Sequence, residues 1–531
     1  MSKTDPTQHN TGSILIVDDT PTNLDVLVDY FHDLGFDVLV ATDGHGALEQ
    51  MSHAKPDVIL LESGSDTSEP AFEALNEGDV VGDAYAGLRP TRSRRVGGTS
   101  GLWNTPADLQ QRGIGAKYVP LDPVDFEQRP HVELSGWPFG HREIERYYAR
   151  AETLCGLAPV GATSGPGKTP RSDATFARFG RQDTGARFSR LVPGAYRVAP
   201  RGALIDPLVS RLLQAPNVRL CTRSTVLKLD SGSSGRAITR AQVSSLGGPT
   251  WYVRARRFVL CAGAVENARL LLLSADAREA RWGNSRWIGR CFMEHPRDSA
   301  LALVDCARDR YRDLAFYDLH ADGAAVVVGR LGLAAEVVRD GEVPNASVTL
   351  LPRCRPWVRF GRSIVGSFGA SWPPAGHGWS RASSPALAYD GFRLLLNLEQ
   401  RPHPENRITL GERCDALGCP VAELHWRWRE LDQALLDRLR RVVTEEFASM
   451  GLGRIEVTSS APPDPNAHHH AGTTRMHDDA RFGVVDATGR VHGTDNLFVA
   501  GASVFPTAGF ANPVLTIVAL AVRLAEHLRA R

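Results

Sequence analysis

The stretch HHHAGTTRMHDD at residues 468–479, followed by NLFVAGASVFPTAGFANPVLTIVALAVRLAEHL at residues 496–528, says most about the fold of this chain. In its second part, Asn512 and Pro513 precede an apolar run over residues 514–522. Asparagine is favoured at the N-cap of a helix and proline at its first position. The sequence therefore predicts a helix that begins at Asn512-Pro513 and packs by its apolar residues.

Length and composition indicate a globular protein of more than one domain. The chain has 531 residues, a net charge of +1 and 42% hydrophobic residues, whereas domains commonly have about 100–200 residues. No basic excess points to a nucleic-acid partner, and no apolar run reaches the ~20 residues of a transmembrane segment. The polar N-terminus lacks a signal-peptide core, and the eight cysteines are scattered. We therefore expect a cytoplasmic protein with reduced thiols.

A change in charge marks a boundary near residue 62. Residues 1–62 contain two lysines, no arginine and eleven acidic residues, whereas residues 63–531 contain 59 basic and 49 acidic residues. Alternating apolar strands and amphipathic helices in the first segment predict half of a doubly wound parallel sheet. The predicted strands are residues 13–17, 38–41 and 57–61, and the predicted helices follow Pro21 and cover residues 46–52.

The first segment resembles the first half of a response-regulator receiver domain. The resemblance is carried by ILIVDDTPTNLDVLVDYFHDLGFDVLVATDGHGALEQM at residues 14–51. It implies Mg²⁺ binding by Asp18 and Asp19, but Glu62 stands at the phosphoacceptor position and cannot form the usual aspartyl phosphate. The switch strand and the lysine of the second half are missing as well. A working receiver is therefore not expected.

Several separated blocks after this boundary resemble the glucose–methanol–choline (GMC) family of FAD-dependent oxidoreductases, over about residues 62–531. They lie in the order that the family shows and end with the C-terminal stretch quoted above. The earlier blocks are VILLESG (58–64), RRVGGTSGLWN (94–104), GWPFGHREIERYYARAE (136–152), FVLCAGAVENARLLLLS (258–274) and IGRCFMEHP (288–296).

The resemblance implies an α/β fold (α+β overall). A doubly wound FAD-binding sheet domain is expected beside a second, substrate-binding domain built on a mostly antiparallel sheet. The implied divisions are a receiver-like segment (1–62), a first FAD-binding part (63–296), the substrate-binding domain (297–465) and a C-terminal FAD-binding part (466–531).

The resemblance also implies non-covalent FAD, because Leu102 stands where some relatives carry a flavin-linked histidine. An acid that ends a strand can bind ribose hydroxyls, and paired glycines with free N–H groups after them can approach a pyrophosphate closely. The start of the last helix can stabilise negative charge on a reduced flavin. The expected cofactor-binding residues are Glu62, Gly97, Gly98, Thr99, Ser100, Val226, Gly263, Gly501, Ala502, Pro513 and Thr516.

The catalytic residues implied by the resemblance are His469, three residues before Gly472, and Asn512. A neutral histidine with a pKa near 6.5 can remove the hydroxyl proton of an alcohol, while the flavin accepts the hydride. Asn512 would orient the substrate oxygen. Consecutive side chains point in different directions and no further ligand is evident nearby, so His468–His470 is not predicted to bind a metal. The expected partner is a small-molecule alcohol; the electron acceptor stays open.

One family feature is absent from the sequence, namely G-x-G-x-x-G before Glu62. The turn at residues 17–23 contains Asp18 and Asp19 instead, and carboxylates repel a pyrophosphate. Three interpretations therefore remain: an alcohol oxidoreductase with an altered cofactor half, a signalling or interaction protein, and a chimeric chain that binds no FAD.

Overall fold

The computed structural model describes residues 13–17, 37–41, 57–103, 114–157, 188–200, 202–232, 235–275, 285–322, 325–341, 343–366, 378–381 and 385–530. The chain divides into two compact units. The first comprises residues 1–61 and 210–221, and the second comprises residues 62–209 and 222–531.

The described strands, in chain order, are β1 (Ser13–Val17), β2 (Asp37–Ala41), β3 (Val58–Leu61), β4 (Gly78–Gly82), β5 (Ile114–Tyr118), β6 (Leu191–Pro200), β7 (Val218–Cys221), β8 (Thr225–Ser231), β9 (Ile238–Ser244), β10 (Thr250–Val253), β11 (Phe258–Leu260), β12 (Arg297–Val304), β13 (Leu319–Asp322), β14 (Ala325–Leu333), β15 (Ala346–Cys354), β16 (Tyr389–Leu398), β17 (Arg407–Cys414), β18 (Pro420–Trp426), β19 (Arg454–Val457) and β20 (Leu497–Val499). The described helices are α1 (Pro70–Glu73), α2 (His141–Leu154), α3 (Ile205–Gln214), α4 (Gly263–Ser274), α5 (Arg310–Asp313), α6 (Ala335–Arg339), α7 (Pro356–Gly366), α8 (Pro385–Ala388), α9 (Glu430–Ser449) and α10 (Val514–Arg529).

The first unit contains two parallel strand pairs. β1 pairs with β2, and β3 pairs with β7. The three strands expected in this segment are present, but β7, at residues 218–221, was not anticipated as a partner of β3. The helices expected between these strands, and Asp18 and Asp19, lie outside the described residues.

An antiparallel sheet organises much of the second unit, in the order β19-β12-β16-β15-β14-β6-β5 with β13 beside β14. One face is leucine- and valine-rich and lies in a large buried cluster. Helix α9 contributes apolar residues such as Leu436, Leu439 and Phe447 to that cluster. Strands of such a sheet alternate between the two faces, so their other side chains point away from α9. Two of the strands, β5 and β6, come before residue 297, where the substrate-binding domain was expected to begin.

Parallel pairing in the second unit joins β11 to β20 and β4 to β18. A doubly wound sheet contains several parallel strands side by side. In the described residues of the second unit, parallel strands occur only as these two pairs, so the expected doubly wound sheet is not seen there. Helix α4 follows β11 directly, as expected for a β–α unit.

The C-terminal helix begins one residue later and runs further than the sequence predicted. α10 covers Val514–Arg529, and Pro513 takes the N-cap position. The side chain of Asn512 makes no capping hydrogen bond there; it contacts His469 instead. In the part of the chain that the structure describes, no helix combines the length and apolarity needed to cross a membrane.

Candidate active site

Two glycine turns lie at the carboxyl ends of the adjacent parallel strands β11 and β20. Gly263 follows β11 and Gly501 follows β20, and the Ala500 N–H donates to the Leu260 carbonyl at 2.8 Å. In α/β folds, ligands bind outside the carboxyl ends of the parallel strands. Glycine turns at this edge expose backbone groups that a ligand can contact. The two turns are therefore placed to receive one ligand.

Asn267 of α4 connects these two turns. Its Oδ1 accepts the Ala262 N–H at 2.8 Å, and its Nδ2 donates to the Ala500 carbonyl at 3.2 Å and to Ser503 Oγ at 3.0 Å. The Asn267 side chain is completely buried. A fully bonded buried amide holds its partners in one arrangement, so the turns keep a fixed separation.

Three of the expected cofactor glycines leave open space beside a left-handed backbone. Gly98, Gly263 and Gly501 have φ values of +56°, +82° and +106°, and a Cβ added to any of them would meet no atom within 4 Å. Gly97 differs, because its Cβ would lie 2.8 Å from Cγ2 of Ile205. Open space beside glycine is the geometry that lets a ligand approach the backbone closely.

The two residues after the paired glycines only partly match the expectation. Thr99 and Ser100 lie in the short 3₁₀ turn Gly98–Leu102. The Ser100 N–H donates to the Gly97 carbonyl at 3.3 Å, and its hydroxyl donates to the same carbonyl at 2.6 Å. The N–H of Ser100 is therefore not free for a pyrophosphate, because the turn itself uses it.

Arg94 joins the loop of Gly97 and Gly98 to two other cofactor segments. Its guanidinium donates to Ser63 Oγ at 3.0 Å, next to Glu62, and forms an ion pair with Glu266 of α4 at 2.9 Å. Burial alone would raise the pKa of Glu266, but Arg94 and Arg92, together with Arg269, lower it well below its usual range. The segments that carry Glu62, Gly97 and Gly263 are thus held together by one buried ionic cluster.

Glu62 and Val226 lie on neighbouring segments. The Glu62 carbonyl accepts the Ser224 N–H at 2.8 Å, two residues before Val226 of β8. The carboxylate of Glu62 accepts the Gly64 N–H at 2.8 Å, and its pKa is raised chiefly by burial. A half-buried acid at a strand end can accept a hydroxyl hydrogen bond, which agrees with the ribose role expected for Glu62.

His469 precedes the segment that runs beside the Gly501 turn, and its side chain belongs to a chain of hydrogen-bonded side chains. The segment after it follows residues 502–504, since the Gly472 N–H donates to the Ala502 carbonyl at 3.1 Å. His469 Nε2 lies 3.1 Å from Asn512 Nδ2, and His469 Nδ1 lies 3.0 Å from His295 Nδ1. His295 Nε2 lies 3.2 Å from the Ala508 carbonyl oxygen.

The partners in this chain determine which nitrogens carry protons, assigned here from the hydrogen bonds. A carbonyl only accepts, so His295 must carry its proton on Nε2 and offer a lone pair at Nδ1. His469 then donates from Nδ1–H, which leaves its Nε2 unprotonated beside the amide of Asn512. The base expected from the sequence thus has its lone pair on Nε2, where it accepts a hydrogen bond from Asn512 Nδ2.

Burial keeps these histidines neutral near pH 7. It lowers the pKa of His295 to about 4 and is also the main cause that lowers the pKa of His469 well below 6.5. The charge of Arg297 acts in the same direction on both imidazoles. Each histidine is therefore neutral in the resting site, with one ring proton, and can accept a second.

A second network surrounds the neighbouring His470. Tyr85 Oη lies 2.6 Å from Glu294 Oε1 and 2.7 Å from His470 Nε2. The other carboxylate oxygen of Glu294 accepts the backbone N–H of His469 at 2.8 Å, so Glu294 fixes the backbone of the base. Burial raises the pKa of Glu294 to about 7.

The same residues bear on metal binding. Glu294, His468 and His470 place one potential ligand atom each within 4.8 Å of one another, so the expectation that no further ligand lies nearby was wrong. Tyr85 already bonds to two of these groups. The hydrogen bonds of Tyr85 therefore give Glu294 and His470 a partner in the absence of an ion.

The structure brings together most of the residues expected from the sequence and adds others. Pro513 and Thr516 lie at the start of α10, but the Thr516 hydroxyl is fully buried and bonds to Tyr148 Oη at 3.0 Å. The sequence analysis assigned no role to His295, which lies near the end of the segment at residues 288–296. The adjacent Glu294 and His295 before Pro296 are the feature of the sequence that could have indicated a functional site. Tyr85 has no signal in the sequence, because only folding places it beside Glu294.

Comparisons with known proteins agree with this geometry. Residues 402–521 match the family model described as GMC oxidoreductase. A GMC-type oxidoreductase of Sinorhizobium fredii, y4nJ, is 29% identical over 417 residues, which are 72% of each chain. Paromamine 6'-oxidase of Streptomyces fradiae is 23% identical over 93% of this chain and 91% of its own length.

The fold comparison points the same way. Pyridoxine 4-oxidase from Mesorbium loti superposes with a TM-score of 0.52 at 18% identity, covering 98% of this chain and 100% of that chain. These matches support the GMC oxidoreductase family and its mixed helix–strand fold. The resemblance of the first segment to a receiver gains no support from them.

Proposed function

We propose that this chain oxidises the CH–OH group of a small-molecule alcohol with non-covalently bound FAD, with His469 as general base. The observation that carries the proposal is the chain from Asn512 through His469 and His295 to the Ala508 carbonyl, beside the Gly501 turn. The names of two relatives support it: 2-methyl-1,2-propanediol dehydrogenase of Mycolicibacterium austroafricanum names an alcohol, and paromamine 6'-oxidase names an oxidation.

The residues that would hold FAD offer it exposed backbone, a carboxylate and the start of a helix. Gly98, Gly263 and Gly501 offer open backbone surfaces, Glu62 offers a carboxylate for a ribose, and α10 directs its N-terminal end toward the Asn512 side of the site. When bound, the flavin accepts the hydride that no side chain can take. The turn at residues 18–23, where the family places its G-x-G-x-x-G, lies outside the described residues.

The side chains of this chain would handle the proton and the orientation of the alcohol. His469 Nε2 accepts the hydroxyl proton, and the amide of Asn512 positions the oxygen beside it. The imidazolium that forms keeps its Nδ1–H directed at His295, whose own proton stays on Nε2. A base that is neutral at neutral pH and already in the correct tautomer needs no proton shift before the reaction. The substrate hydroxyl has only to replace the hydrogen bond that Asn512 makes to Nε2.

The first test is the visible absorption spectrum of the purified protein with and without added FAD. A bound-flavin spectrum supports the cofactor half of the proposal. A protein that stays colourless in excess FAD contradicts it and favours the chimeric interpretation, in which the catalytic residues have lost their cofactor.

The second test is the rate of anaerobic flavin reduction by a panel of sugars and polyols. We expect His469→Ala to lower this rate by roughly 10²–10⁴-fold, the usual contribution of a general base. His468→Asn is the matched control, since it changes the adjacent histidine and asparagine tolerates the φ of +60° there. An unchanged rate in His469→Ala would show that another group removes the proton.

A further inference from the structure

The face of the antiparallel sheet that points away from α9 carries a polar row. Gly332, Ser347, Asn397 and Arg297 are direct neighbours across β14, β15, β16 and β12. Arg330 precedes Gly332 by two residues and so lies on the same face. Leu331, between them, points into the buried cluster on the opposite face.

The middle of this row is already satisfied by internal hydrogen bonds. Tyr196 of β6 places its hydroxyl 2.6 Å from Ser347 Oγ and accepts from Asn397 Nδ2 at 3.2 Å. Ser347 is completely buried and Tyr196 nearly so. These three side chains form a fixed polar floor, and the cations stand at its ends.

Arg330 is a buried cation without a counter-charge in the part of the chain that the structure describes. The residue is 8% exposed, and its Nε is buried without a hydrogen-bond partner. Its guanidinium lies 4.5 Å from the ring of Phe510 and 5.6 Å from that of Tyr196. Ring contacts of this kind stabilise a cation weakly compared with a carboxylate.

The other buried arginines that the structure describes are paired, which makes Arg330 an exception. Arg129 binds Glu399 at 2.5 Å, and Arg440 binds Asp298 at 2.9 Å. The rest have carboxylate or carbonyl partners: Arg92 and Arg94 with Glu266, Arg269 with Asp415, and Arg475 with the carbonyls of Leu134 and Phe482. Burying a charge without such a partner is costly, and a ligand that supplies the partner would remove that cost.

The surroundings of Arg330 leave room for its guanidinium, and its aromatic neighbour Phe510 belongs to the segment that carries Asn512. A Cβ on Gly194, its cross-strand neighbour, would lie 3.0 Å from Cζ, and one on Gly332 would lie 2.7 Å from Nη1. Phe510, which stacks on the guanidinium, precedes Asn512 by two residues, and Asn512 contacts His469. The guanidinium of Arg330, on β14, therefore packs against the segment that carries Asn512.

We propose that Arg330 binds an oxyanion of the substrate, so that the preferred alcohol carries a carboxylate or a similar group away from its reacting carbon. This inference rests on the proposed function and assigns the substrate class for the same site. A guanidinium binds a carboxylate through two parallel hydrogen bonds. Arg297, at the other end of the row, has the same sign of charge. An alcohol with an ammonium group is repelled by both.

The experiment compares three sugars that share a hydroxyl-bearing ring and differ in charge: D-glucuronate, D-glucose and D-glucosamine. Their binding to the holoenzyme is measured by titration calorimetry, and their reduction of the flavin is measured separately. We expect glucuronate to bind about 10- to 100-fold more tightly than glucose, as a charge-assisted hydrogen-bond pair implies. Glucosamine is expected to bind least.

Variants separate recognition from folding. Arg330→Met should abolish the preference for glucuronate, and Arg330→Lys, which keeps the charge without the planar fork, should retain part of it. Arg393→Met is the matched control, because it removes an exposed guanidinium from the same face, four residues before Asn397 on β16. The midpoint of thermal unfolding should be unchanged or raised in Arg330→Met without ligand, since an unpaired buried charge is lost.

Each result decides between clear alternatives. Equal affinity for the three sugars, no saturable binding of glucuronate, or the same preference in Arg330→Met would overturn the inference. Loss of FAD absorbance in Arg330→Met would also overturn it, because the guanidinium would then serve the cofactor. Flavin reduction at the same rate by all three sugars would be consistent with the proposed function and would reject only the inference that Arg330 binds an oxyanion of the substrate. Glucuronate binding that depends on Arg330, without any flavin reduction, would reject the proposed function and keep the oxyanion site.

Discussion

At the residue scale, the chemistry of the site depends on one backbone carbonyl. The Ala508 oxygen lies 3.2 Å from His295 Nε2 and forces a proton onto that nitrogen. Because His295 Nδ1 is then an acceptor, His469 carries its proton on Nδ1 and keeps a lone pair on Nε2, which accepts from Asn512 Nδ2. His295 is thus a positioning residue, since it acts through His469.

An isosteric pair of variants tests this role. His295→Leu removes the acceptor for the Nδ1–H of His469, and we expect flavin reduction to slow at least about tenfold because the base loses its favoured tautomer. His295→Asn keeps an oxygen near the former Nδ1 and should retain more of the rate. Two-bond ¹H–¹⁵N correlation spectra of ¹⁵N-histidine-labelled protein report the tautomer directly.

The same spectra provide the contrary outcome. If His469 in the unmodified protein carries its proton on Nε2, the assignment of His295 is wrong whatever the rates are. Equal rates in the Leu and Asn variants would show that His295 acts only by filling space.

At the element scale, the site is built where two parallel strands end. β11 and β20 pair over three residues each, and both turn immediately afterwards at a glycine with positive φ. The buried side chain of Asn267 holds the two turns together. Short strands suffice because a buried, fully bonded amide fixes the separation.

Substitution of Gly501 separates cofactor binding from backbone strain. In Gly501→Ala the methyl group would occupy open space beside a φ of +106°, so we expect weaker FAD binding in addition to about 1 kcal/mol of strain. Gly418→Ala is the matched control, because Gly418 also has positive φ (+75°) and open space, in the turn between β17 and β18. FAD titration by fluorescence and urea unfolding of the apoprotein measure the two effects.

Similar FAD affinity in the two glycine variants would place the cofactor away from Gly501. Loss of stability of similar size in both, with weaker FAD binding only in Gly501→Ala, is the expected pattern.

At the scale of the whole molecule, the buried histidines make stability depend on pH. The folded-state pKa values of His295 and His470 are lowered by burial to about 4 and about 3, below the value of about 6.5 in the unfolded chain. Between these limits the unfolded chain binds more protons, so the free energy of unfolding rises with pH. Glu294 acts oppositely, because burial raises its folded-state pKa to about 7.

We therefore expect the free energy of unfolding to increase from pH 4.5 to 6.5 by roughly 1–3 kcal/mol per pH unit, since at least two histidines oppose one carboxyl group at about 1.4 kcal/mol each. Glu294→Gln should make this rise steeper and remove any decline between pH 6.5 and 7. Urea unfolding at several pH values measures both slopes. A flat profile over this range would show that these histidines are protonated in the folded protein.

The sequence by itself pointed to the GMC family, which the comparisons support, and it predicted FAD and the pair His469 and Asn512, whose roles stay predictions. Short motifs that contain glycine, histidine and asparagine, and their order along the chain, can be identified without knowledge of the tertiary structure. The strands at residues 13–17 and 57–61 and the helix that follows Asn512-Pro513 were also predicted, because apolar periodicity is a local property.

Only the tertiary structure decided which distant residues complete the site. His295 and Tyr85 reach His469 and His470 from far along the chain, and the partner of β3 is a strand about 160 residues later. That Arg330 has no counter-charge among the described residues is likewise invisible in the sequence, since the pairing of a buried charge depends on every chain segment that packs around it. Side-chain type is a local property, whereas protonation, tautomer and pairing are set by neighbours that only folding brings together.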